Sequence, residues 1–130
     1  MLKFTFRSIK ILTVALSLLF SVAAFAQAPA QMNYQTVVRN NAGTPVANGT
    51  LVTLRFTIHD LTENGTPVYS ETITDTANQF GMVNVQIGSS NNLGIVNWGT
   101  GAKYLQVEAN VNNAGFVDMG ASQLISVPYA

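Results

Sequence analysis

LVTLRFTIHD, residues 51–60, decides the fold class. Val52, Leu54, Phe56 and Ile58 occupy one set of alternate positions, and Thr53, Arg55, Thr57 and His59 the other. A pleated strand sends successive side chains to opposite faces, so this strand has one dry face and one wet face. A helix would scatter the same residues around its axis. YLQVEANVN repeats the pattern downstream, with Leu105, Val107, Ala109 and Val111 against Gln106, Glu108 and Asn110. In MVNVQIG, Val83, Val85 and Ile87 alternate with Met82, Asn84 and Gln86.

Weaker strand signals fill the rest of the chain: MNYQTVVRN at 32–40, VYSETITD at 68–75, then FVDMG and SQLISV. The connections NNAGTP at 40–45, ENGTP at 63–67, NQFG at 78–81 and NNAG at 112–115 carry Asn and Gly, which accept the positive φ of tight hairpins. About seven short strands with one-sided alternation predict an all-β antiparallel sandwich, immunoglobulin-like or transthyretin-like. The paired cysteines of true immunoglobulin domains are absent.

The first 26 residues stand outside that fold. Lys3, Arg7 and Lys10 precede an apolar stretch from Ile11 to Val22, and Ala24-Phe25-Ala26 matches a small-x-small cleavage site. This is the layout of a secretory signal peptide cleaved after Ala26. The apolar stretch is shorter than the roughly 20 residues of a membrane span, so no stable span is expected after cleavage. Residues 27–31 then form a short linker, and 32–130 the sandwich. The absence of cysteine excludes a lipoprotein anchor, disulfides and thiolate metal sites.

Cleavage leaves 104 of the 130 residues. Arg39, Arg55 and Lys103 face six carboxylates, Asp60, Glu63, Glu71, Asp75, Glu108 and Asp118, for a net charge of −3. Three scattered cations make no footprint for nucleic acid. His59 is the single histidine, and it is expected on a solvent-facing strand position rather than in a triad or metal site. Gly94, Gly99 and Gly101 precede no helix and make no phosphate loop. The expectation is a chain with no catalytic residue, no metal and no cofactor. A hydrolase centred on His59 is the weakest alternative.

SSNNLGIVNWGTGA, residues 89–102, breaks the rhythm. Its Leu93, Ile95 and Trp98 are expected to plug one end of the sandwich. The competing reading is a small carbohydrate-binding module with Trp98, Tyr104 and Phe116 as stacking surfaces. Asn48-Gly49-Thr50 and Asn64-Gly65-Thr66 match glycosylation sequons but read as turns. Asp75-Thr76-Ala77 resembles the O-glycosylation site of secreted Bacteroidota proteins, which would place the sugar on Thr76. MVNVQI and QLISV are uncharged windows of high β-propensity, so self-association through edge strands is a further expectation.

MNYQTVVRNNAGTPVAN, PVYSETITDTANQFGMVNVQIG, NWGTGAKYLQVEANV and MGASQLISVPYA follow one another in a set order. Together they resemble the N-terminal β-sandwich module of large secreted surface proteins of Bacteroidota, which are themselves similar to phage tail fibres. The resemblance covers residues 31–130. It implies a structural or adhesive role at the cell surface, with other protein domains or surface glycans as partners. In that family the module commonly precedes collagen-like repeats, coiled coils or an endosialidase-type chaperone domain. By that resemblance Ser126–Ala130 marks the junction with a stalk: Pro128 would end the last strand, and Tyr129 would fold back on the domain edge. Either such a region lies beyond this reading frame, or the module stands alone.

Overall fold

The computed structural model describes residues 30–125. The leader with its Ala26 cleavage site, most of the linker, and the closing Pro128 and Tyr129 lie outside the described residues. Among the described residues there are six strands: β1 (Met32–Val37), β2 (Leu51–Asp60), β3 (Pro67–Thr76), β4 (Met82–Ile87), β5 (Lys103–Val111) and β6 (Phe116–Leu124). The one helical element among them is a single 3-10 turn, Leu93–Ile95. All strand pairings are antiparallel. One sheet has the order β3-β2-β5-β6 and the other contains β1 and β4.

The alternation read from the sequence orients the strands. Val52, Leu54, Phe56 and Ile58 are completely buried on the inner face of β2. Leu105, Val107 and Ala109 of β5 continue this face, and Val83, Val85 and Ile87 of β4 meet it from the other sheet. Tyr34 of β1 packs edge-on against Phe56, with ring centroids 5.0 Å apart, and so ties the two layers. Burial of this one-sided apolar set drives the two layers together.

The end of the chain departs from the strand count. FVDMG and SQLISV read as two strands, but Phe116–Leu124 forms one. Its pairing with β5 slips between Gln106 and Glu108. Gly120, at φ +99°, absorbs the slip, and its N–H donates to the Asp118 carboxylate at 2.9 Å. A glycine that signals a break in the sequence is here a bulge within a continuous strand. The four-residue β5–β6 connection, residues 112–115, turns through Asn112 and Asn113, both at positive φ, and the Ala114 N–H closes the turn on the Val111 carbonyl.

The 89–102 loop does part of what the sequence suggests. Leu93 is fully buried and Trp98 is half-buried against the core, but Ile95 is 69% exposed. Val96 takes the second buried place. The 3-10 turn, capped by the Asn92 side chain, rotates Ile95 outward while it sends Leu93 and Val96 in.

Candidate functional site

Glu71 sits on the inner face of β3, between Tyr69 and Ile73, at 3% exposure. A buried carboxylate is costly unless its lone pairs are filled. Here the N–H groups of Gly88 and Ser90 each donate to it at 2.6 Å, and the Tyr69 hydroxyl at 2.7 Å. The Ser89 hydroxyl lies farther away, at 3.4 Å. Burial opposes the charge, but the N–H of Gly88, the Tyr69 hydroxyl and the N–H groups of Ser90 and Asn91 outweigh it. The Glu71 carboxyl therefore titrates below the ordinary glutamate range. Burial, followed by the bond to Glu71 and its charge, pushes the Tyr69 phenol up.

Chemically, this arrangement is a staple. β3 belongs to the four-stranded sheet, and Gly88 follows directly on β4 of the other. One carboxylate therefore bonds across the two layers, with its strong acceptor sites occupied by protein donors. Sequence reading passed over Glu71, although its signal was available. It is a carboxylate at an inward position of β3, and it blurs the alternation there.

Lys103, His59 and Arg55 are also engaged. Lys103, 2% exposed, donates to Asp60 at 2.9 Å and lies 3.3 Å from the Gly101 carbonyl. His59 Nδ1 lies 2.8 Å from the Gly65 carbonyl, and Nε2 lies 2.7 Å from the Gln106 side chain. His59 is thus half-buried and tied to the β2–β3 turn and β5. Arg55 forks onto Glu108 on the outer face, and its guanidinium carbon stands 4.0 Å from the centre of the Phe116 ring.

The three aromatic residues considered for stacking do not converge. Trp98 packs against the core, and its indole N–H donates to the Leu93 carbonyl at 3.1 Å. Tyr104 and Phe116 share the outer face, but Phe116 pairs with Asn110, six residues along β5 from Tyr104. That separation is about 20 Å. Thr76 is exposed at the end of β3, with its N–H bonded to the Asp75 carboxylate at 2.8 Å.

A groove of about 690 Å³ lies between the end of β1 and the start of β6. Val37, Val38, Ala109, Val111, Val117 and Met119 supply its apolar lining, with Arg39 at its margin. Of these, Val117 and Met119 are exposed. Among the described residues no group of three metal-ligating side chains occurs, and no helix is long and apolar enough to cross a membrane.

Residues 33–122 match a family described as a domain of unknown function, DUF8740. The chain belongs to this family. The match runs from within β1 to within β6, so the DUF8740 domain takes in the Glu71 staple, the groove and both sheets. No curated protein and no solved structure matches the chain.

Proposed function

We propose that the chain is a secreted, non-enzymatic module that works by protein contact, in a structural or adhesive role. It belongs in the periplasm, on the outer surface or outside the cell, as the N-terminal domain of a larger tail-fibre-like protein. One contrast carries the reading. The buried ionisable groups Glu71 and Lys103 are spent on holding the fold, whereas Val117 and Met119 are left at the surface beside strand edges. Contiguous exposed apolar surface marks interaction sites in soluble proteins.

Fractionation of the native host, blotted with an antibody to residues 32–125, tests the reading. A band outside the cytoplasm, accessible to protease on intact cells or released into the medium, supports it. A protein confined to the cytoplasm overturns it.

A further inference from the structure

Three consecutive residues of β3 hold the start of the 89–102 loop. Glu71 accepts the N–H groups of Gly88 and Ser90 at 2.6 Å each. The Tyr69 hydroxyl donates to the Asn91 carbonyl at 3.0 Å, and the Asn91 side-chain amide donates to the Ser70 carbonyl at 2.6 Å. From Asn92 to Gly99 the pattern changes. The N–H groups of Ile95, Val96 and Trp98 donate to the carbonyls of Asn92, Leu93 and Val96, and the Trp98 indole donates to Leu93. Among the described residues, the hydrogen bonds of this segment all stay inside the loop. The segment can therefore leave the sandwich without breaking them. It is held down by Leu93 and Val96 in the core, by Trp98 packed against it, and by the grip on β3. At the far end of the loop the Leu61 N–H donates to the Ala102 carbonyl at 2.8 Å, and Lys103 lies between Gly101 and Asp60.

The grip depends on one charge. Residues 89–102 carry no ionisable side chain. β2 sets Phe56 beside Glu71, and the other titratable group at the carboxylate is the Tyr69 phenol. At the far end stand Lys103 and Asp60. With the loop closed, the Glu71 carboxyl titrates below its ordinary value of 4.5. With the loop lifted, Glu71 faces water and returns to that value. Below 4.5 the open form therefore takes up a proton sooner than the closed form does, and acid favours opening. The same proton turns an acceptor oxygen into a donor aimed at N–H groups.

We propose that residues 89–100 form an acid-released lid: protonation of Glu71 detaches the loop at Gly88–Asn91, and it swings on its Gly101–Lys103 end while the two sheets stay folded. Opening carries Leu93, Val96 and Trp98 away from the core and adds them to the apolar surface. The inference stands apart from the contact-module reading, which needs no moving part.

Trp98 is the single tryptophan, so its fluorescence reports on the loop alone. The chain lacking residues 1–26 is titrated from about pH 7 to about pH 2, across the carboxylate range. Protection of single amides from hydrogen exchange is followed by NMR, and access to Trp98 by acrylamide quenching. The expected result is a fall of about tenfold or more in the protection of Gly88 and Ser90, the worth of roughly one hydrogen bond to a charge. Quenching of Trp98 rises over the same range, below 4.5, while the amides of β2 and of Leu61 keep their protection. Glu71→Gln is expected to show the exposed loop already at neutral pH, with no further step in acid. Loss of protection at Gly88 and Ser90 only together with β2 overturns the proposal. So does protection that stays unchanged down to the pH at which the sheets unfold. Loss at Leu61 before Gly88 and Ser90 also overturns it, because the acid response then belongs to Asp60 and Lys103. The titration of the unmodified chain decides the matter even where Glu71→Gln fails to fold.

Discussion

At the scale of single residues, Glu71 shows how a costly group becomes a structural one. Its charge is buried between the sheets and survives there because backbone N–H groups on the other side of the core are aimed at it. Glu71→Gln puts an amide donor where an acceptor is required. The expected loss is about 3 kcal/mol in urea unfolding at neutral pH, near the cost of leaving buried partners unsatisfied. The native carboxyl titrates below its unfolded value, so its contribution is complete above the ordinary value near 4.5. It drains away as pH falls from there through the lowered native value. The stability gap between the wild type and Glu71→Gln should therefore narrow on acidification. A gap that stays constant down to pH 2 would show that the charge is not what Glu71 contributes. Gly88 is the other half of the staple. At φ +99°, it would place an added Cβ 2.3 Å from the Ala30 carbonyl oxygen. Gly88→Ala should cost about 2 kcal/mol or more by the same measurement, through backbone strain and a displaced donor.

At the scale of elements, the strands differ in how well they are held. β2 is paired on both sides and four of its inward residues are completely buried, whereas β6 is paired on one side and bulged at Gly120. Arg55 compensates in part: it grips Glu108 on β5 and covers Phe116 on β6. Native-state hydrogen exchange should show β2 amides opening only with global unfolding, with β6 amides exchanging sooner. Replacing Arg55 with Ala should widen that difference, because it removes the outer-face tie between β5 and β6. Uniform protection across the four-stranded sheet would contradict this ranking. The central strands were legible in the sequence because local alternation is enough to orient a strand with one wet face. β6 was legible only as two pieces, FVDMG and SQLISV, because Gly120 reads as a break between them. Only its pairing with β5 carries the strand through.

At the scale of the whole molecule, the described residues form sheets of four and two strands, and Val117 and Met119 of β6 are left exposed. The consequence should be visible in solution. The chain lacking residues 1–26 is expected to self-associate with rising concentration, and a version with a polar extension after Ala130 should do so less. Sedimentation velocity separates the two. Equal monomeric behaviour would count against edge-mediated assembly. Association that buries the groove also stabilises the fold, so the thermal midpoint of the unmodified chain should rise with concentration.

The sequence by itself determined the all-β class, the inward and outward faces of the central strands, and the Asn- and Gly-built turns. Each of these depends on residues within a few positions of one another. Only the tertiary structure decided which strands share a sheet, that Glu71 is the bond between the layers, and that Val117 and Met119 are exposed among the described residues. Glu71 reaches donors 17 to 19 residues away in sequence, and β1 pairs with a strand that begins at Met82. Contacts over that separation arise from the packing of one apolar face against another, and no local pattern encodes where that packing stops.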